Sequence, residues 1–364
     1  MTDGPVARNA AVTLELEPLD VLFFRDGRPF DAAPRATGGL PMPQTLAGAV
    51  RTWLIGRLGG DVEVLAAAVR QGATFGDAAA SQGSGPAIVG RLGIRGPWFA
   101  RSGKRLVPMP ATIERDIDGG LHRLDPLADE LPGWSPTEMD GTRPLWRRGG
   151  GPAKQQAGYL CTTGLERFLK GDIPRPDEIL GAEDLLVCED RVGVGVDAKT
   201  GTAGKGMIYA VRMMRLRPGV TLAVDLVGAG EDLEACCPDA EDVLALGGES
   251  RRAIVRRMTA GTWPAPVNAQ GSGKLVLLTT PAPFGGWRPP GLPLVAAAVP
   301  GFVPVSGWDL ARRGPKPNRF AVAAGSVYFL DRTTDLPNRN RSLCTGEDAA
   351  VGWGTYLEGV WNHA

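Results

Sequence analysis

Three short stretches set cations beside glycine: Arg25-Asp26-Gly27-Arg28, the turn from Asp197 to Gly206 with Lys199 and Lys205, and Gly247-Gly248-Glu249-Ser250-Arg251-Arg252. Glycine lets a backbone approach a ligand closely and exposes its amides, while guanidinium and ammonium groups supply charge. Such sites bind anions, phosphate above all. The turn at 197–206 invites comparison with a nucleotide-binding P-loop, which runs Gly, four residues, then Gly-Lys-Ser/Thr, from a strand into a helix. Counting back from Gly204-Lys205, Lys199 stands where the first glycine belongs, and Gly206 stands where the magnesium-binding hydroxyl belongs. The turn reads instead as the basic tip of a hairpin. Val192, Val194 and Val196 alternate with Gly193 and Gly195, and Met207 to Leu216 is rich in β-branched, aromatic and Met residues.

Other chemistry finds little support. Acyl transfer by Ser/His/Asp or Cys/His needs a histidine in a supportive setting, and the chain has two, His122 and His363, far apart. Its five cysteines, Cys161, Cys188, Cys236, Cys237 and Cys344, form no C-x-x-C pair, so neither a zinc site nor a disulfide framework is expected. The acidic run "GEDLEACCPDAED" reads as a solvated helix start rather than a carboxylate cage. No cofactor and no metal are expected.

The elements that must position the basic stretches follow from periodicity. Val12, Leu14 and Leu16 alternate with Thr13, Glu15 and Glu17, a half-buried strand that leads to the turn at Arg25. A helix follows, with Thr45 as its N-cap, Leu46, Val50, Trp53 and Leu54 on one stripe, and Arg51 on the same helix. Residues 60–185 are less regular and read as an insertion decorating the first domain. After the hairpin at 190–216, "VTLAVDLVG" extends its second strand, "PDAEDVLALGG" is a short helix and "ESRRAIVRRM" a strand. These complete a β-α-β-β-α-β set. A Pro/Gly stretch then separates a second, smaller set. The expected division is 1–262, with the insertion about 60–185 and the hairpin 190–216, and 263–364.

Composition bounds the partners. The 40 basic and 40 acidic residues cancel, yet 33 of the basic ones are Arg, the side chain suited to phosphate forks and base stacking. Net charge alone therefore does not exclude nucleic acid. The longest apolar runs are broken by Gly and Pro and fall short of the roughly 20 residues a membrane span needs. The N-terminal segment lacks the pattern of a secretion signal. A soluble, cytoplasmic protein with no membrane partner is expected.

"LEPLDVLFFRDGRPF", "PMPQTLAGAVRTWL", "RVGVGVDAKTGTAGKGMIYAVRMMRL", "LGGESRRA" and "KPNRFAVAAGSVYFL" occur in this order. In that order they resemble the third-subunit family of the Cmr effector complex, a RAMP-superfamily protein of type III-B CRISPR systems. The closing segment "VGWGTYLEGVW", with Gly352 and Gly354, matches more loosely. The resemblance implies an α+β fold of two ferredoxin-like (RRM-like, RAMP) domains with glycine-rich loops and a protruding β-hairpin thumb. It also implies a non-catalytic subunit that holds the 5′ tag of the CRISPR RNA. Its partners would be that tag, the large polymerase-like Cmr subunit and the backbone RAMP subunit. The RNA-binding residues it points to, with those nearby, are Arg25, Gly27, Arg28, Thr45, Arg51, Lys199, Lys205, Gly247, Gly248, Ser250, Arg251 and Arg252. The alternative is a metal-independent endoribonuclease that processes precursor CRISPR RNA, for which His122, Lys205 and Tyr209 are the candidate bases. A plain protein–protein scaffold is the third reading.

Overall fold

Leu14 and Leu16 are fully buried while Thr13, Glu15 and Glu17 point to the other side, so the first strand, β1 (Ala10–Pro18), builds a core with one face only. The computed structural model describes residues 10–24, 40–128, 142–147, 151–196, 200–259, 263–264, 271–309, 311–337 and 341–364, with backbone alone at 10, 195 and 203–210. Helix α1 (Pro43–Arg57) starts earlier than its sequence suggests. Met42 is the N-cap and Pro43 takes the first position, so Thr45 is an exposed residue of the first turn and caps nothing. Helices α2 (Val62–Arg70), α3 (Phe75–Ala80) and α4 (Ser84–Arg91) follow. Asp61 and Thr74 cap the first two by accepting backbone N–H bonds.

The supposed insertion is structural. Strand β2 (Gly93–Arg101) is buried along seven of its nine residues and lies at the heart of the main sheet, with β3 (Lys104–Pro108) beside it. Small strands β4 (Ile113–Asp116), β5 (Leu121–Arg123), β6 (Asp125–Pro126), β7 (Leu145–Trp146) and β8 (Ala153–Gln155) come next. Then follow β9 (Tyr159–Leu160), helix α5 (Thr162–Leu169) and β10 (Ile179–Leu180). The hairpin is β11 (Leu186–Val196) with β12 (Ala203–Leu216), paired only to each other as a sheet. β13 (Val220–Gly228) does not continue β12: a turn with Gly219 at φ +75 separates them, and β13 joins the main sheet. The next helix also differs from expectation. α6 (Gly230–Cys236) occupies the acidic run, whereas Asp242–Ala245 is strand β14, since Pro238 intervenes and exposed Val243 alternates with buried Leu244. β15 (Arg252–Arg257) completes the sheet, whose order is β10-β9-β3-β2-β13-β1-β15-β14, antiparallel throughout.

The C-terminal half repeats part of that order. It comprises β16 (Gly273–Leu278), β17 (Ala296–Ala298), β18 (Phe302–Val305), β19 (Trp308–Asp309), β20 (Gly314–Pro315), β21 (Arg319–Val322), β22 (Val327–Asp331), helix α7 (Gly346–Ala350) and β23 (Tyr356–Trp361). Four of these form the sheet β17-β22-β16-β23, in chain terms second, third, first, fourth. The central strands β2-β13-β1-β15 of the main sheet show the same pattern. Both faces of β16 are covered. Val276 and Leu278 join the core that holds Leu14 and Leu46, while Leu275 and Leu277 pack with Leu165, Phe168 and Leu169 of α5. That explains the unbroken apolar run "LVLL". Gly359 lets α5 lie close, because a Cβ there would sit 2.7 Å from the Leu169 carbonyl oxygen.

On the face of the main sheet away from α1, Asp225 is fully buried at the centre of a polar knot. Its carboxylate pairs with Arg105 and, at 3.6 Å, with Arg95, and accepts from Thr13 at 2.8 Å and from the Trp263 indole N–H at 2.8 Å. Burial pulls the Arg95 guanidinium below its ordinary pKa, against the pull of Asp225. Breaking such a cluster by removing its anion leaves two buried guanidiniums without the carboxylate they share. Asp225→Ala is expected to cost about 3–5 kcal/mol in chemical denaturation, far more than Trp263→Phe, which removes one hydrogen bond worth about 1 kcal/mol.

Candidate nucleic-acid interface

The register brings four chain segments to one end of the main sheet. Pro18 ends β1 opposite Ala253, Val220 begins β13 opposite Arg101, Arg101 pairs with Lys104 across the β2–β3 turn, and Ala245 pairs with Arg252. The 19–24 segment, the hairpin root, the 246–251 loop and the 101–104 turn therefore share that end.

Residues 19–24 run between the other two loops and are bonded to both. Leu22 exchanges two backbone hydrogen bonds with Met214 of β12, each 2.8 Å, and the Gly248 N–H donates to the Phe23 carbonyl at 2.9 Å. Val21, Phe23 and Met213 form a small core of their own, with Val211 against it. Gly247 has φ +88, and a Cβ there would lie 2.6 Å from the Phe23 carbonyl oxygen, so the position demands glycine twice over. Glu249 and Ser250 also adopt left-handed conformations, φ 57 and 54, which turns β14 into β15 within four residues. Glycines 247 and 248 thus close a hairpin turn; they do not end a helix.

Charges surround this junction. Asp20 lies between Arg215 at 2.9 Å and Arg251 at 3.4 Å. Arg215 also donates to Glu189, which takes Arg191 at 2.8 Å on its other oxygen. These two guanidiniums, Arg215 first, hold the Glu189 carboxyl down at about 2. Arg101, Lys104 and Arg252 are exposed at the same end, and no carboxylate of the described residues pairs with them. Sequence reasoning passed over Arg101 and Lys104, although Arg101-Ser102-Gly103-Lys104 repeats the cation-x-Gly-cation pattern of residues 25–28.

The other sequence candidates divide. Arg25, Gly27, Arg28 and Lys199 lie outside the described residues, although Phe24, the residue before the turn, is fixed at the junction. Lys205 belongs to β12 by its backbone. Ser250 and Arg252 are exposed at the basic end and Arg251 is half-buried there. Arg51 is a correction: it is 7% exposed, pairs with Glu347 and lies over the Phe75 ring at 4.3 Å, so it ties α1 to α7 and offers nothing to a ligand. Of the described candidates, Gly247, Gly248, Ser250, Arg251 and Arg252 lie at the sheet end. The face away from α1 is occupied by Glu15 and Glu17 around Arg256, at 2.9 and 2.7 Å, with Glu241 at 3.1 Å, a surface of the wrong sign for phosphate. The acidic run is likewise committed, Asp232 to Arg91 at 2.8 Å and Glu234 to Arg257 at 3.0 Å. Gly352 packs at the other end of β2, where a Cβ would sit 2.8 Å from the Ile94 carbonyl oxygen. Among the described residues no group of three or more His, Cys, Asp or Glu is placed to hold a metal, and no helix is long and apolar enough to cross a membrane.

In fold, the chain is similar to subunits of CRISPR effector complexes. A chain of a type III-B Cmr-beta complex bound to cognate target RNA matches with TM-score 0.52 and 15% identity, over 95% of this chain and 96% of that one. A chain of a Cmr-beta complex bound to cognate target RNA and AMPPnP matches with TM-score 0.50 and 16% identity, over 87% and 86%. No curated protein sequence matches. The profile of the CRISPR-associated protein family Cas_Cmr3 matches residues 14–361, and the chain belongs to that family.

Because the folded-state pKa of Glu189 is depressed, its contribution to the hairpin root is complete above its ordinary value near 4.5 and is lost as pH falls toward 2. Hydrogen exchange over residues 186–216 should accordingly stay slow from pH 7 to 5 and quicken, after correction for intrinsic rates, only on further acidification. Glu189→Gln should show the faster exchange already at pH 7.

Proposed function

We propose that this chain is a non-catalytic RNA-binding subunit of a type III-B Cmr effector complex, holding the 5′ tag of the CRISPR RNA and joining the large polymerase-like subunit to the backbone subunits. Membership of the Cas_Cmr3 family supports the assembly. One observation carries the RNA reading: basic loops far apart in the chain meet at one end of the main sheet, with Arg101, Lys104 and Arg252 exposed. Phosphates would take the exposed cations Arg101, Lys104 and Arg252 that border the 247–250 turn. The shared strand order of the two sheets supports two ferredoxin-like domains. The long hairpin, rooted at the same end, supports a thumb that presses on the guide or a neighbouring subunit.

Affinity built on phosphate contacts falls steeply with salt. Lys104→Glu and Arg252→Glu break no ion pair among the described residues, so the fold should survive. Each is expected to lower the amount of guide RNA that copurifies with the complex and to flatten the slope of log affinity against log salt by about one. Unchanged RNA content and slope in the double variant would refute the assignment.

The nuclease alternative has one observation in its favour: His122 Nε2 lies 2.6 Å from Asp116 Oδ2, an oriented imidazole that sequence alone did not show to be supported. β4 and β5, which carry this pair, follow the end of β3 opposite Lys104, away from the gathered cations. Incubation of the pure chain with repeat RNA in EDTA decides between the readings. Specific cleavage abolished by His122→Ala would establish the nuclease.

A further inference from the structure

Three aromatic side chains stand in solvent on one short stretch of the C-terminal half: Phe302, Trp308 and Phe320 are 52%, 60% and 68% exposed. β18 and β21 form a two-stranded ribbon in which Phe302 faces Val322 and Pro304 faces Phe320. Phe302 and Phe320 are therefore diagonal neighbours on its outer face, while Val305 and Ala321 on the inner face are buried. Trp308 begins the β19–β20 extension just beyond, opposite Pro315.

Residues 302–322 also carry four cations, Arg312, Arg313, Lys316 and Arg319, against the single carboxylate Asp309. Asp348 takes Arg319 through two bonds of 2.8 and 2.9 Å, and Arg312 pairs with Asp309 at 3.2 Å while its side chain stays 66% exposed. The ribbon thus presents flat rings in a net positive field. Protein interfaces are also enriched in aromatics and Arg, but their centres are depleted of charge. Rings interleaved with cations suit single-stranded nucleic acid, whose bases stack while its phosphates are neutralised.

The Gln44 side chain donates to the Ser306 carbonyl at 2.8 Å, which seats the ribbon against the first turn of α1. Arg319 is bonded to Asp348 of α7 and Val322 bridges Ala282, both beside Gly352 and Gly354, so the ribbon sits toward the end of β2 away from Arg101. The ribbon is therefore a second surface, apart from the end where the 19–24, 101–104 and 246–251 segments meet.

We propose that the β18–β21 ribbon is a stacking platform for single-stranded RNA, separate from the basic end of the main sheet, with Trp308, Phe302 and Phe320 under the bases and Arg312, Arg313 and Lys316 beside the phosphates. This rests on the RNA-binding reading and extends it to the C-terminal half. The test uses the assembled complex with its guide RNA and the variants Trp308→Ala, Phe320→Ala and their double. Affinity is measured across a salt series alongside subunit composition and ultraviolet crosslinks to the ribbon. Each ring removed is expected to weaken binding about tenfold without changing the salt slope, and uridine crosslinks should map to Trp308 or Phe320. Unchanged affinity in the ring variants overturns the proposal, and loss of a protein subunit at unchanged affinity would mark a protein docking face instead. Weakened binding without any crosslink to the ribbon also overturns it. If Lys104→Glu and Arg252→Glu lose RNA while the ring variants do not, the platform falls and the tag-holding reading stands. If none of the variants loses RNA, both fall.

Discussion

Everything at the basic end depends on the path of Leu22 and Phe23. That segment is bonded on one side to Met214 and on the other to Gly248, residues that arrive from much later in the chain. Three backbone hydrogen bonds, each worth about 1 kcal/mol, and a buried cluster of Val21, Phe23 and Met213, worth roughly 1.5–3 kcal/mol per side chain, outweigh the ion pairs of Asp20, which as exposed pairs contribute at most about 1 kcal/mol. Packing and peptide bonds thus fix the junction, and the charges tune it. The absence of a side chain at residue 247 is what lets the two loops come so close.

Much of this was legible in the sequence, and the failures share a cause. The alternation of β1, the amphipathic stripe of α1 and the bare valine face of β11 are local patterns, and each is observed. Which strands pair is not local. β2 looked like part of a decoration because its residues are apolar on both sides, the mark of a strand buried in mid-sheet rather than of an irregular loop. Similarly, "VTLAVDLVG" seemed to extend the hairpin, since nothing in its own residues announces that Gly219 turns the chain into another sheet.

Among the binding candidates, Arg51 was misjudged because a helical arginine says nothing about the acid that meets it. Glu347, almost three hundred residues later, could be assigned to it only in three dimensions. Arg101 and Lys104 were overlooked although their turn repeats the spacing of residues 25–28, because the surrounding region had no evident periodicity. Clusters of arginine divide in the same way throughout the chain. Those opposite carboxylates, as Arg256 is, are structural braces, whereas Arg101 and Arg252 are exposed with no carboxylate of the described residues paired to them.

The two sheets share one core, and Trp263 bonds the strand-linking segment to the buried carboxylate of the first. The two halves are therefore packed against each other through one continuous core among the described residues. Sliding one sheet along the other would expose Val276 and Leu278, which are buried in the cluster of Leu14 and Leu46, so the place of the C-terminal strands is set by the interior of the first sheet.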